Sequence, residues 1–257
     1  YRVFKKNFKM NKTKNPIIEY AVLFCGGKGS RLGSIGKKKN KSLILVHNKP
    51  IIFYIISKLL KSNINKIIFP LGYKGGHVKK YVQKQFSNHI DKFIFVNTGV
   101  NSEISERLVK IKKYFSKDKI VLLVNGDTIF DFNLLNFVKS HITSKKKISL
   151  ASFSPKIDLG FILMKNNKPL KFEKSVFVSE FKNKKFELNA YSGCVIFNTS
   201  ILKNFKFKLK EDFETELYNY YLKSNDINVY KIKNKTCFPI DNVKNLIYAN
   251  KNLILKN

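Results

Sequence analysis

Through the first half of the chain, apolar runs of strand length take turns with helix-length amphipathic segments, and that alternation leaves few folds open. "YAVLF" (Tyr20–Phe24) reads as a short buried strand. Pro50 heads "IIFYIISKLLKSN", apolar at helical spacing and ending at Ser62–Asn63. "KIIFPLG" reads as strand and turn, "GHVKKYVQKQF" as helix, "FIFVN" as strand, "ERLVKIKKYF" as helix, and "KIVLLVNGD" as a strand that stops at Gly126–Asp127. The pattern predicts an α/β three-layer sandwich of Rossmann-like kind, with a mostly parallel central sheet covered by helices on both faces. Ligands in such sheets lie outside the carboxyl ends of the strands. The glycine-rich run after Phe24 and Asp127 both fall there.

After about Ser144 the pattern changes. "KISLASF", "GFILMKN", "PLKFEKS" and "AYSGCVIFN" read as short strands of a smaller mixed β region closing over the mouth of the first half. A helix "DFETELYNYYLKS", a strand "NVYKIKN" and a helix "NVKNLIYANKNLIL" follow. With 257 residues, 44% of them hydrophobic, the chain can bury a large core, and one domain over residues 16–257 is expected. Residues 1–15 read as a basic, solvated extension without an apolar signal region, and Met10 lies nearer the expected natural start.

The net charge of +33 invites a nucleic-acid reading. Yet the excess is almost all Lys, spread through every segment, whereas a surface built to grip phosphate clusters its charge and favours Arg. No nucleic-acid partner is expected. No apolar run is longer than Ile51–Ile56, which is far too short for a membrane span. Cys25, Cys194 and Cys237 are odd in number and widely spaced, which fits a reducing cytoplasm and no disulfide or zinc pattern. A homo-oligomer is allowed by the sequence without being specified by it.

The stretch "CGGKGSRLG" carries the chemistry. Glycines after a buried strand let the backbone approach a ligand and turn its N–H groups toward phosphate. The dinucleotide fingerprint needs Gly where Leu32 stands, and the Walker A pattern is met neither at Lys28 nor at Lys37. A loop with a built-in cation remains, in which Arg31 supplies a forked pair of hydrogen bonds to phosphate oxygens. Arg31 is one of only three Arg in the chain, against an ordinary glycine turn with a surface Arg as the bland alternative.

This opening resembles that of the sugar-phosphate nucleotidylyltransferases, whose signature runs GGxGTRL, then Pro–Lys–Pro, then a GKPxI-like element. Ser30 replaces Thr, and Asn40–Lys41–Ser42 stands in place of Pro–Lys–Pro. "VNGDTIF", "FEKS", "YSGCVIFN" and "FPIDNVKNL" resemble later elements of the family in the same order, from about Tyr20 to Leu246. "NTGVNSEISERLVKI" is similar to the segment DTGxNTxTGGRLxxI of the glucose-1-phosphate cytidylyltransferases, with Ser105–Glu106 replacing its two glycines.

The resemblance implies a GT-A-like nucleotidyltransferase, with a nucleotide-binding half at 16–143 and an acceptor-binding half at 144–257. It implies a magnesium-dependent transfer of CMP from CTP to a small phosphorylated acceptor, a sugar 1-phosphate or a phosphorylated amino acid such as phosphoglutamine, for surface polysaccharide. Guanylyl, uridylyl or thymidylyl transfer to a hexose or heptose 1-phosphate is the alternative, "FPLGYKG" being similar to a turn of the guanylyltransferases. A basic nucleic-acid binder on an inactive transferase fold is the rival of another class. Arg31, Lys41 and Asp127 are the implied catalytic residues. Phe24, Cys25, Gly26, Gly27, Gly29, Ser30, Arg31, Lys41, Thr98, Gly99, Asn101, Arg107 and Gly126 are implied for the nucleotide. Gly160, Glu173, Lys174 and Gly193 are implied for the acceptor, and Asp127 and Asp241 for Mg2+. Arg107 is equally compatible with a helix-surface position, Asp127 with a turn, and Asp241 with a helix cap. His47, His77, His89 and His141 are isolated and read as structural or exposed.

Overall fold

Six strands of a seven-stranded sheet share one direction and a single strand opposes them. A computed structural model describes residues 18–117, 119–157, 161–165, 167–173, 176–177, 187–204, 212–232 and 236–253. The basic extension, Gly160 and Lys174 lie outside the described residues, as does the side chain of Glu173.

The first described element is β1 (Ile18–Phe24), followed by α1 (Ser34–Lys38), the hairpin β2 (Leu45–Val46) and β3 (Lys49–Pro50), and α2 (Ile51–Leu60). Then come β4 (Ile64–Leu71), α3 (Gly75–Gln85), β5 (Phe93–Asn97), α4 (Ile104–Ile111), β6 (Ile120–Asn125), β7 (Thr128–Phe130) and α5 (Leu134–Ser144). The second half supplies β8 (Ile148–Phe153), β9 (Lys156–Ile157), β10 (Phe161–Lys165), β11 (Lys168–Glu173), β12 (Val176–Phe177) and β13 (Ala190–Asn198). It closes with α6 (Ile201–Asn204), α7 (Phe213–Lys223), β14 (Ile227–Lys231), β15 (Cys237–Pro239) and α8 (Val243–Asn252).

The sheet order is β14-β8-β13-β6-β1-β4-β5, and β13 is the reversed strand. The strands of the second half divide between this sheet and smaller ones. β8, β13 and β14 join the main sheet, while β9 with β12, β10 with β11, and β15 with β7 form small sheets apart from it. The cause is burial. Ser192–Phe197 of β13 are buried without interruption, as a strand covered on both faces must be.

Alternation along β1 assigns its two faces. Ala21 and Leu23 pack into the core that holds α2, while Val22 packs on the other side with Leu108 and Ile111 of α4 and Leu217 of α7. Helix α2 buries Ile51, Ile52, Ile55, Ile56 and Leu59 along one stripe. Each such side chain contributes about 1.5–3 kcal/mol of transfer free energy. Because β1, β4, β5 and β6 run parallel, the residues that follow Phe24, Leu71, Asn97 and Asn125 emerge at one edge.

Candidate active site

At that edge a cavity of about 510 Å³ opens between the loops after β1, β5 and β6. Phe24, Cys25, Gly26, Gly27, Lys41, Asn101, Arg107, Gly126 and Asp127 line it. The register of β1 on β6 sets Phe24 beside Asn125, so the glycine loop and Asp127 become neighbours. Gly126 ties the two strand ends together by donating its N–H to the Phe24 carbonyl at 2.8 Å. A Cβ at Gly126 would lie 2.5 Å from that oxygen, so only glycine fits there. Gly29 holds a left-handed φ of 65° and starts a 3-10 turn over Ser30–Leu32, from which Arg31 projects. Ser30 is exposed in that turn.

The charges converge on one point. Lys41 Nζ donates to Asp127 Oδ2 at 2.6 Å and to Asp241 Oδ1 at 2.7 Å, and Arg31 Nη2 lies 3.3 Å from the same Asp241 oxygen. Antiparallel pairing of β15 with β7 brings the two aspartates together, with Pro239 opposite Thr128 and Ile240 N–H donating to the Asp127 carbonyl at 2.9 Å. Asp241 does not cap α8. That role belongs to Asn242, whose Oδ1 accepts from Asn245 N–H at 2.9 Å. Asp127 lies in the turn between β6 and β7, with its carboxylate turned to Lys41. Two carboxylates that accept one cation between them are a donor set suited to a hard divalent ion, which takes few protein oxygens and keeps several other ligands. Among the described residues no group of three or more His, Cys, Asp or Glu gathers for a metal.

Arg107 behaves differently. It is only 5% exposed, and its Nη1 donates to Thr98 Oγ1 at 2.6 Å. Its guanidinium fills the space that a side chain on Gly26 or Gly72 would need. It is therefore no helix-surface residue. Burial pulls its affinity for a proton down, and among the described residues it has no ion-pair partner. Thr98 also donates its hydroxyl to the Leu71 carbonyl at 2.8 Å, so that oxygen is engaged on both sides. Gly99, at φ 99°, lines a neighbouring dent with Ser102 and Glu106 rather than the main cavity. Cys25 lines the cavity, but burial pushes its thiol up to about 12 and keeps it neutral.

On the acceptor side only part is described. Gly193 has φ 76°, and a Cβ there would lie 2.9 Å from Asn125 Nδ2. Glu173 ends β11, paired with Phe161. Glu214, in the first turn of α7, accepts from Tyr218 OH at 3.3 Å. Burial raises its carboxyl, hydrogen bonds from Tyr191 and Tyr218 oppose that, and the charges of Asp212 and, less, Asp127 add to it.

Several lining residues escaped sequence reasoning. Lys28 Nζ spans the cavity to Asn101 Oδ1 at 3.0 Å. Glu103 lines the cavity and forms a capping box at the start of α4 with Glu106, which stands at one of the two glycines of the cytidylyltransferase segment. Asn40 is fully buried beside the cavity, and the only sequence signal for it was its place next to Lys41. Among the described residues no helix is long and apolar enough to cross a membrane.

The nucleotidyl transferase family model matches residues 20–253. Over 238 residues the chain is 25% identical to a probable glucose-1-phosphate cytidylyltransferase of Bacillus subtilis (strain 168), covering 82% of this chain and 92% of that protein. It is 27% identical over 202 residues to the D-glycero-alpha-D-manno-heptose 1-phosphate guanylyltransferase of Aneurinibacillus thermoaerophilus, covering 75% and 82%. The structure of a CTP:phosphocholine cytidylyltransferase from Streptococcus pneumoniae shares the fold, with a TM-score of 0.64, 16% identity and coverage of 93% of this chain and 100% of that one.

Proposed function

The chain belongs to the nucleotidyl transferase family, and we propose that it transfers CMP from CTP to a small phosphorylated acceptor, a sugar 1-phosphate in the first instance. Pyrophosphate is the second product. The observation that carries this reading is the meeting of Lys41, Arg31, Asp127 and Asp241 at the mouth of a glycine-floored cavity.

A phosphate monoester with a second pKa near 6 is mostly dianionic at neutral pH, so it needs no general base. Its oxygen attacks the α-phosphorus, the bond from that phosphorus to the β-bridging oxygen breaks, and pyrophosphate leaves with the electron pair. The obstacle is charge. Two unit charges about 4 Å apart interact by about 4 kcal/mol at an effective dielectric of about 20. Main-chain N–H groups of Gly26 and Gly27 face the triphosphate in this reading, and Arg31 grips the leaving phosphates. Lys41 turns from the carboxylates to the α-phosphate or the incoming phosphate. A magnesium ion held by Asp127 and Asp241 would supply the remaining positive charge along the triphosphate. Gly193, Gly160, Glu173 and Lys174 make up the acceptor's site by resemblance alone.

The B. subtilis relative, matched over 92% of its length, supports cytidine. The heptose-phosphate guanylyltransferase match supports GTP as the second reading. Pyrophosphate release is to be measured with ATP, CTP, GTP, UTP and dTTP against sugar 1-phosphates and phosphorylated amino acids. Turnover with CTP is expected. Turnover with GTP alone selects the second reading, and no pyrophosphate above background with any pair ends the transferase reading.

A further inference from the structure

Lys41 sits at the centre of the site, yet the residue before it makes more hydrogen bonds than any catalytic candidate. Asn40 is fully buried, and its carboxamide uses every donor and acceptor it has. Nδ2 donates to the Cys25 carbonyl at 2.8 Å and to the Tyr73 carbonyl at 2.6 Å. Oδ1 accepts from Ser42 N–H at 2.9 Å and from Ser42 Oγ at 2.6 Å. The amide orientation is forced, because the two carbonyls can only accept and Ser42 N–H can only donate.

These four bonds do two separate jobs. The donors tie the segment to the loops after β1 and β4, two neighbouring parallel strands of the main sheet. The acceptor pins Ser42, on the other side of Lys41, and so starts the 3-10 turn Lys41–Leu43. Between them the backbone of Lys41 has little freedom. Its stem is guided as well, since a Cβ at Gly29 would lie 3.2 Å from Lys41 Cβ. A lysine side chain carries about 2 kcal/mol of rotamer entropy, so an anchored base matters to where its ammonium rests.

Resting on the transferase reading of the site, we propose that Asn40 is a positioning residue, whose carboxamide aims the Lys41 ammonium at the point shared by Asp127 and Asp241. Asn40 has φ −62° and ψ 141°, an extended conformation open to proline. The segment thus gets by hydrogen bonding the rigidity that ring closure would give.

The test uses Asn40→Ala, Lys41→Ala and the double variant of the full chain, with two readouts. The first is Mn2+ affinity by electron paramagnetic resonance, without nucleotide or acceptor. Losing the ammonium frees both carboxylates, so Lys41→Ala is expected to tighten Mn2+ binding about threefold or more. Asn40→Ala should move affinity the same way by less, and should add nothing on top of Lys41→Ala. The second readout is turnover with the nucleotide and acceptor found in the pyrophosphate screen. Asn40→Ala should lower kcat about tenfold while KM for the nucleotide changes less than about twofold, and the loss should vanish in the Lys41→Ala background. Where Asn40→Ala does not fold, Asn40→Ser keeps a cap oxygen for Ser42 N–H and gives up the bridge to Cys25 and Tyr73. Effects that multiply in the double variant overturn the proposal. So does a lowered Tm with wild-type Mn2+ affinity and kcat, and so does a wild-type protein that binds no Mn2+. If no substrate pair releases pyrophosphate, the transferase reading fails while the Mn2+ comparison still decides the role of Asn40.

Discussion

Two arginines near the candidate site live in opposite environments. The Arg31 side chain is 76% exposed and reaches Asp241 from a loop with a left-handed glycine at its start. Arg107 is 5% exposed, bonded to Thr98 and wedged against Gly26 and Gly72. An exposed guanidinium loses little by leaving one carboxylate for a phosphate. A buried one, without an ion pair among the described residues, cannot move without leaving a void and unpaired donors. The comparison teaches that the same residue type can be a charge free to move in an exposed turn and a fixed part of a cavity's lining when buried.

The largest expected effects are on turnover and come from the mobile side. Asp127→Asn should cut kcat by about 10²-fold or more, as losing one transition-state stabiliser does. Thermal unfolding of that variant should stay close to wild type, because Asp241 still holds Lys41. Arg31→Lys should lose about 10²-fold in kcat, since an ammonium cannot fork onto two oxygens, with stability within about 0.5 kcal/mol. Near-normal turnover in either variant removes that residue from the chemistry.

The fixed side should respond first in stability. Gly26→Ala drives a methyl into the Arg107 guanidinium and is expected to cost about 1–3 kcal/mol in denaturant unfolding. Adding Arg107→Ala should recover part of that loss. Strict additivity of the two changes would mean that they do not touch.

The smallest effect lies away from the cavity. His141 of α5 is buried, with Nδ1 2.8 Å from Ser149 Oγ and Nε2 3.3 Å from Asn198 Oδ1. Burial lowers its proton affinity below the ordinary value of 6.5. The unfolded chain therefore takes up the proton first as pH falls. The stability due to neutral His141 is whole above pH 6.5 and drains away below it, toward the lowered folded value. Unfolding curves from pH 7.5 to 5 should show this slope in the wild type and less of it in His141→Gln.

Local pattern alone missed α1, the hairpin β2–β3, β7 and α5. It was enough for the main strands and helices from β1 to β6, the glycine loop after β1, and the strand ending at Gly126–Asp127. Each rests on residues close in sequence, where periodicity and glycine speak directly. The same pattern could not tell whether Asp241 caps a helix or faces the cavity, and the answer needed the pairing of β15 with β7. Nor could it place β8, β13 and β14 in the main sheet, because partner choice among strands depends on contacts distant in the chain. The sequence left Arg107 open between a nucleotide role and a helix surface and gave Asn40 no role, until the loops after β1, β4 and β5 closed around them. Their roles come from burial, a property that no residue carries by itself and that only the folded chain confers.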